Sequence, residues 1–284
     1  MTTLHVEDKK HYIIHFRDWM RQRRYADQTI KTYTSMLEVF LDYFPEKDIK
    51  DIRIRDIEEF NYYYVIGKGL SASYQNQMIN SIKLFYMKML GINFALKELE
   101  RPRKGNYLPK VLSKEEVSTV LGSIKNIKHK AILSLIYSAG LRRNELVNLQ
   151  IDDIDSKRML IRINNSKGAK DRIVGLSKNV LILLRGYYQL YKPKHYLFEG
   201  QKGGRYSGTS INLIFQRARQ RSGVTTEGGV HMLRHSYATH LHESGYDIRI
   251  IQELLGHKSS KTTEIYTHIS TRTIQKVISP FDDI

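Results

Sequence analysis

The sequence predicts a mainly α-helical protein of two domains, in which a small helical bundle precedes a larger α+β domain with one small antiparallel sheet. Apolar residues recur at the spacing of a helix turn along most of the chain, whereas only one stretch shows two short strand patterns joined by a polar turn. A short basic segment with proline and glycine, residues 99–110, lies between the two parts. With 284 residues the chain is long enough for two such domains.

The first domain, residues 1–98, is predicted as a bundle of four amphipathic helices. Pro45, Gly67 and Gly91 end the second, third and fourth of these helices, because proline cannot continue a helix and glycine is common where one ends. Together the four helices provide enough apolar side chains for one small core. The apolar pattern places the helices at 12–20, 30–44, 54–66 and 71–90.

The segment 99–110 is predicted as a linker because it combines prolines, a glycine and a run of basic residues. The second domain, residues 111–284, begins with a capping box at 113–116, which predicts the start of a helix. Residues 160–163 and 172–174 are predicted as two strands that flank a tight polar turn. The other helices predicted in this domain lie at 128–139, 210–221, 231–244, 247–255 and 260–268.

The sequence argues against several kinds of chemical site, against a signal peptide and against a membrane-spanning helix. The chain has no cysteine, which excludes disulfides, thiolate metal sites and cysteine nucleophiles and suits a reducing compartment. Its first residues are polar and lack the apolar core of a signal peptide. The most apolar stretch, residues 131–141, is far shorter than the ~20 residues that cross a bilayer. We therefore expect a cytoplasmic protein.

The charge is strongly positive and unevenly distributed. Lys and Arg number 46 against 29 Asp and Glu, which gives a net charge of +17 at pH 7. Residues 1–100 hold 15 basic and 14 acidic side chains, whereas residues 101–284 hold 31 and 15. A basic field of this size attracts polyanions, of which nucleic acid is the commonest. The alternative is a well-solvated basic surface that serves no polyanionic partner.

Short motifs in the second domain carry groups that could cut and rejoin a DNA strand without a metal. Such a reaction needs guanidinium groups on the scissile phosphate, a nucleophile that attacks in line and an acid for the leaving oxygen. Arg142 follows a predicted helix end, with Glu145 three residues later. His231, Arg234 and His235 share one face of a predicted helix, because positions i, i+3 and i+4 are neighbours.

A third motif, Leu-Leu-Gly-His at 254–257, precedes a predicted helix that bears Tyr266. Together with Gly-Leu-Arg-Arg-Asn-Glu at 140–145 and His-Met-Leu-Arg-His at 231–235, it resembles box I and box II of the tyrosine recombinases, or phage integrase family, and in particular their simple two-domain, Xer-like members. The resemblance covers nearly the whole chain. It implies the tyrosine recombinase fold, in which the first domain is a SAM-like core-binding domain and the second is catalytic.

The resemblance also implies what individual residues do. Arg142 and Arg234 would bind the scissile phosphate, His231 would handle a proton, and Tyr266 would be the nucleophile. The implied product is a 3′-phosphotyrosyl bond and a free 5′-hydroxyl on DNA. Because the bond energy is kept in this covalent intermediate, neither ATP nor a cofactor is expected. No metal site is expected either, since the sequence lacks a His-Glu-x-x-His motif and cysteine ligands.

The remaining site residues follow from the same resemblance. The polar turn of the predicted hairpin is similar to the family's turn with a lysine as general acid, which implies this role for Lys167, with Lys170 on the same turn as the alternative. His257 would be a further phosphate contact. Glu145 is the expected support of Arg142, and His235 is a second supporting residue.

Several basic residues are also predicted to contact DNA, although each could be an ordinary solvated side chain. Two other functions stay open at this point. One is a DNA-binding regulator on the same fold without chemistry, and the other is a type IB topoisomerase-like relaxer that acts as a monomer. The predicted DNA contacts are Arg21, Arg23, Arg24, Arg143 and Lys170.

The expected partners are double-stranded DNA and further copies of the chain. The resemblance implies a monomer or dimer in solution, a tetramer in the synaptic complex and a Holliday junction intermediate; accessory DNA-binding proteins are further candidates. Residues 270–284 are predicted to contact a neighbouring protomer, and packing on their own domain is the alternative. Dimer resolution, inversion and integration of a mobile element all stay open, and a nucleoid-associated location would follow from DNA binding. The apolar edge of this C-terminal tail consists of Ile274, Val277, Ile278 and Phe281.

Overall fold

The computed structural model describes residues 2–94, 109–164 and 171–256, with side chains from residue 9 onward. It divides into two compact units, Met1–Asn106 and Tyr107–Ile284. Most of the predicted linker lies outside the described residues, so the predicted domain boundaries stay predictions. No helix in the described part of the chain is both long and apolar enough to cross a membrane.

The first unit contains the four helices that the apolar pattern predicts. The first begins earlier than expected, and the third and fourth each end in a π-helical segment, Asn61–Ile66 and Tyr86–Leu90. Its core is rich in aromatic rings: Phe16 meets Phe85 edge to face at 5.5 Å, and Phe40 meets Phe60 in the same way at 5.1 Å. Such edge-to-face pairs stabilise a core beyond the area that they bury. The helices are α1 (Thr2–Gln22), α2 (Asp27–Asp42), α3 (Ile54–Phe60) and α4 (Ala72–Phe85).

The second unit surrounds one buried helix, α6, which packs against α8, α9 and α10. Buried residues lie on nearly every side of α6, as expected for a helix in the centre of a domain. The predicted capping box begins α5, since Ser113 and Glu116 each accept a hydrogen bond from the other's backbone N–H. The helices of this unit are α5 (Lys114–Gly122), α6 (Ile127–Ala139), α7 (Arg143–Asn148), α8 (Lys178–Tyr191), α9 (Gly208–Ser222), α10 (His231–Glu243) and α11 (Ile248–Leu255).

The sheet of the second unit is antiparallel with the order β1-β2-β3, formed by Ile154–Asp155, Leu160–Ile163 and Arg172–Gly175. The predicted pair of strands is confirmed as β2 and β3, with Ile163 opposite Arg172. The expectation of only two strands was incomplete, because β1 is two residues long and too short to show an alternating pattern.

Two helices of the second unit were missed by the sequence analysis. α7 has six residues, too few for a periodic pattern to show. α8 buries Val180, Leu184 and Tyr187 and exposes Ile182 and Leu190. Near its start it has five consecutive apolar residues, 180–184, and such a run does not by itself distinguish a helix from a strand. The helices predicted at 210–221, 231–244 and 247–255 are confirmed to within a few residues, whereas the one at 260–268 lies outside the described residues.

Gly140 ends α6 and turns the chain towards α7. Its φ of 59° lies in the left-handed region, and its N–H donates to the carbonyl of Ile136. A Cβ at this position would lie 2.5 Å from the ring of Tyr237 and 3.0 Å from Leu255, so the turn has no space for a side chain. Only glycine satisfies both the backbone conformation and the packing.

We expect Gly140→Ala to lower the free energy of unfolding by about 3 kcal/mol, because left-handed strain and overpacking add. Gly122→Ala is the matched control, since a Cβ at Gly122 would meet nothing within 4 Å. Urea unfolding of both variants measures the difference. A Gly140→Ala variant as stable as the Gly122→Ala variant would contradict this account of the turn.

Candidate active site

The turn at Gly140 places Arg142 at the start of α7, where both its backbone and its side chain bind Glu145. The Arg142 N–H donates to Glu145 Oε2 at 2.8 Å, and Arg142 Nη1 donates to Oε1 at 2.7 Å. Glu145 therefore caps the first turn of α7 and at the same time fixes the direction of the Arg142 guanidinium. The predicted proximity of Arg142 and Glu145 is present in the structure.

Glu145 also binds guanidinium groups from two other parts of the chain. Arg172, the first residue of β3, forms a two-pronged contact, with Nη1 2.7 Å from Oε1 and Nη2 2.8 Å from Oε2. Arg234 of α10 has Nη1 3.9 Å from Oε2. The Glu145 side chain is only 4% exposed. We call these four residues, Glu145, Arg142, Arg172 and Arg234, the Glu145 cluster.

The guanidinium groups keep Glu145 ionised. Burial by itself would raise the pKa of its carboxyl, but the hydrogen bonds and charge of Arg172, followed by those of Arg142, hold the pKa at about 2. Arginine is always protonated in proteins, so the cluster combines three positive charges with one negative charge. The surplus positive charge favours an anion beside the cluster.

The C-terminal end of α11 is held by the same three arginines. Arg172 Nε donates to the carbonyl of Leu254 at 2.8 Å, Arg234 Nη2 donates to that of Leu255 at 2.7 Å, and Arg142 Nη2 donates to that of Gly256 at 3.0 Å. These are carbonyls that a helix end leaves without intrahelical partners. The three carbonyls belong to the first three residues of the predicted third motif, Leu-Leu-Gly-His, and His257 is the next residue along the chain. The three arginines therefore fix where α11 ends within this motif.

Exposure differs among the three arginines. The Arg142 side chain is 23% exposed, whereas those of Arg172 and Arg234 are 8% and 5% exposed. Within the described residues Arg142 uses two of its five side-chain N–H groups, and the other three have no partner there. Arg234 is held more deeply, and its Nη1 also donates to the carbonyl of Gly140.

The two predicted histidines lie on α10 near these arginines. His231 as a whole residue is exposed to solvent, but its imidazole is partly buried. This partial burial, followed by the positive charges of Arg143, Arg234 and Arg142, lowers the pKa of His231. Burial, followed by the charges of His231 and Arg234, lowers the pKa of His235 to about 4. Both imidazoles are therefore neutral at pH 7, and the exposed His231 is able to accept a proton.

The predicted DNA contacts are distributed over both units. Arg21, Arg23 and Arg24 are exposed at the end of α1, where Arg21 binds Asp18 at 3.3 Å. Arg143 follows Arg142 on α7, and its Nε is buried without a hydrogen-bond partner among the described residues. The remaining predicted site residues, Lys167, Lys170, His257 and Tyr266, lie outside the described residues.

Arg172 is the site residue that the sequence analysis missed, because it was treated only as a strand residue. The available signal was weak: an arginine opens the second strand of the hairpin, directly after the polar turn. Its contacts with Glu145 and Leu254 form only in the folded structure, in which β3 lies beside α7 and α11. As for metals, no group of three His, Asp or Glu side chains in the described ranges is arranged to hold an ion.

Comparison with known proteins assigns the chain to a family. Residues 110–272 match the model of the phage integrase family, and residues 13–95 match the N-terminal SAM-like domain of phage integrases. The chain belongs to the phage integrase family. It is 33% identical over 267 residues to a tyrosine recombinase of Thermosipho africanus, with 90% of this chain and 94% of that protein covered.

Two further comparisons place the chain among Xer-like tyrosine recombinases. It is 33% identical over 269 residues to the tyrosine recombinase XerA of Pyrococcus horikoshii, which covers 93% of this chain and 90% of that protein. It is also similar to the crystal structure of XerH site-specific recombinase bound to its palindromic difH substrate after cleavage, with a TM-score of 0.74 and 25% identity. That match covers 99% of this chain and 85% of that one. The chain is thus a tyrosine-type site-specific recombinase.

We expect Glu145→Gln to lower the free energy of unfolding by about 3 kcal/mol at pH 7, because a pKa lowered from 4.5 to about 2 is worth that much. A depressed pKa stabilises the fold above the unfolded value and ceases to do so as the pH falls towards the folded value. The difference from wild type should therefore be complete above about pH 5 and smaller at pH 3.

Urea unfolding of wild type and variant at pH 7 and pH 3 measures both quantities. Glu227→Gln is the control, since the Glu227 side chain is 82% exposed and its ion pair with Lys110 in the described part of the chain has a separation of 3.9 Å. A Glu145→Gln variant that is as stable as wild type at pH 7, or one whose deficit grows at low pH, would contradict the assigned charge state.

Proposed function

We propose that this recombinase cleaves and rejoins DNA strands with Tyr266 as the nucleophile and with Arg142 and Arg234 of the Glu145 cluster on the scissile phosphate. The observation that carries the proposal is the convergence of Arg142 and Arg234, from the two predicted boxes, on the last carbonyls of α11. The chain continues directly from there to His257 and Tyr266. A site of surplus positive charge thus lies where the segment with the nucleophile begins.

In the first step the hydroxyl oxygen of Tyr266 attacks the scissile phosphorus. The tyrosine proton passes to the neutral imidazole of His231, and the bond from phosphorus to the 5′-oxygen breaks. Lys167, or Lys170 as the alternative, donates a proton to that oxygen. The product is a 3′-phosphotyrosine and a 5′-hydroxyl, and attack by the 5′-hydroxyl of another strand reverses the step and exchanges strands through a Holliday junction.

The guanidinium groups act on the charge of the phosphate. Arg142 has side-chain N–H groups without a partner in the described part of the chain and is the more exposed of the two arginines, so it would bind a non-bridging oxygen directly. Arg234 would supply the second positive charge, and His257 a further contact. Glu145 and His235 would support these residues without touching DNA. The reaction needs neither ATP nor a cofactor, because the phosphotyrosine retains the energy of the broken bond.

Binding would extend over both domains, which we place at 1–98 and 111–284 with a linker at 99–110. The excess positive charge of residues 101–284 would contact phosphates along the duplex. The proposed further contacts are Arg21, Arg23, Arg24, Arg143 and Lys170. Association with the nucleoid would follow from this binding.

Strand exchange between two duplexes requires several active sites in one complex. We infer a tetramer in that complex, in which residues 270–284 contact a neighbouring protomer; accessory DNA-binding proteins are compatible with it. A silent DNA-binding regulator and a topoisomerase-like relaxer are not favoured, since the relatives are named recombinases. Dimer resolution, inversion and mobile-element integration are all compatible with the proposal.

We expect Tyr266→Phe to abolish the covalent protein–DNA adduct while DNA binding changes less than twofold, because the variant loses one hydroxyl and no charge. Denaturing electrophoresis with a nicked suicide duplex detects the adduct, in the presence of EDTA because no metal takes part. Tyr246→Phe, at an exposed position outside the cluster, is the matched control and should form adduct at the wild-type rate. An adduct that persists in Tyr266→Phe, or one that EDTA prevents on bound DNA, would contradict the proposal.

A further inference from the structure

Arg172 connects three elements that the proposed reaction requires. It opens β3, opposite Ile163 of β2, and therefore stands where the hairpin leads into its turn. From this position its three nitrogens reach two other elements: Nη1 and Nη2 bind the carboxylate of Glu145 on α7, and Nε binds the carbonyl of Leu254 at the end of α11. The sheet, α7 and α11 are thus joined through one side chain.

The end of α11 also packs on the stem of Arg172. Gly256 has a φ of 62°, and a Cβ at Gly256 would lie 3.1 Å from Arg172 Cδ and 3.3 Å from Nη1. The glycine therefore brings the backbone of the turn close to the guanidinium. Hydrogen bond and packing together fix where the chain leaves α11.

We propose that Arg172 is a positioning residue for strand cleavage, which sets the end of α11 relative to Glu145 and, through Glu145, to Arg142. The inference rests on the proposed function, since it assumes that the chain beyond Gly256 carries the nucleophile. Arg172 does not bind the phosphate in this account, because its side chain is buried and its three nitrogens are occupied.

Lysine cannot replace arginine in this position. Its single ammonium group is a point charge, whereas the planar guanidinium contacts both oxygens of Glu145 and the carbonyl of Leu254 at once. Arg172→Lys therefore keeps the positive charge at this position but removes the planar guanidinium that makes these three hydrogen bonds at once. A role that depends on charge alone would survive this substitution, and a positioning role would not.

The test compares Arg172→Lys with Arg162→Lys in the full chain. Arg162 lies on the neighbouring strand β2, and its Nη2 binds the carbonyl of Asp152 at 2.6 Å in an exposed position, so the control makes the same chemical change outside the cluster. Adduct formation on a nicked suicide duplex is measured at saturating DNA, well below the melting temperature of each variant. We expect Arg172→Lys to slow adduct formation at least tenfold, with DNA affinity within twofold of wild type, and Arg162→Lys to match wild type.

A second pair of variants tests the same contact from α11 and keeps every charged side chain. Gly256→Ala places a Cβ against Arg172, whereas Gly223→Ala introduces similar left-handed strain at the end of α9, where a Cβ meets nothing within 4 Å. We expect Gly256→Ala to slow adduct formation at least tenfold more than Gly223→Ala. This pair decides the question if Arg172→Lys does not fold.

Each outcome has a defined meaning. Wild-type rates in Arg172→Lys, equal slowing in Arg162→Lys, or a deficit that higher DNA concentration removes would overturn the positioning role and leave the proposed function intact. Equal rates in Gly256→Ala and Gly223→Ala would also overturn it. A wild-type chain that forms no adduct would instead contradict the proposed function and, with it, the basis of this inference.

Discussion

The second unit depends on how it neutralises one buried carboxylate. Removing an ionised carboxylate from water costs several kcal/mol, which must be recovered from hydrogen bonds of good geometry and from opposite charge. Glu145 receives both from Arg142 and Arg172, with Arg234 close by. Because these arginines come from the start of α7, the start of β3 and the first turn of α10, the environment that stabilises the charge of Glu145 forms when these elements come together. The carboxylate thus links the fold of the unit to the arrangement of its guanidinium groups.

The same contacts give the site the positive charge that the proposed binding of a phosphate requires. Three guanidiniums against one carboxylate leave a surplus of positive charge, and the carbonyls at the end of α11 offset it only through partial charges. Burial, and after it the positive charges nearby, lower the pKa of His231 and of His235. A neutral imidazole beside a cationic cluster suits a reaction in which a hydroxyl loses its proton as a phosphate is attacked.

Sequence alone predicted the parts of this site that are local in the chain. Arg234 follows His231 by one turn of a predicted helix, so spacing was sufficient to place that pair. The pairing of Arg142 with Glu145 came from the family resemblance, because α7 was not predicted. Arg172 could not be found in this way, because its partners Glu145 and Leu254 are 27 and 82 residues distant along the chain. α8 was missed for another reason: near its start it has the apolar run 180–184, which fits a buried strand as well as a helix. The roles of Lys167, His257 and Tyr266 rest on motif resemblance and stay predictions.

Whether Glu145 serves the chemistry by orienting Arg142 is tested most directly by a double-mutant cycle on adduct formation. The rates of wild type, Arg142→Ala, Glu145→Gln and the double variant are measured at saturating DNA, with all four proteins folded. If Glu145 acts through Arg142, Glu145→Gln should slow a chain that already lacks the Arg142 guanidinium far less than it slows wild type. The same factor in both backgrounds would show that the two residues act independently and would contradict the account.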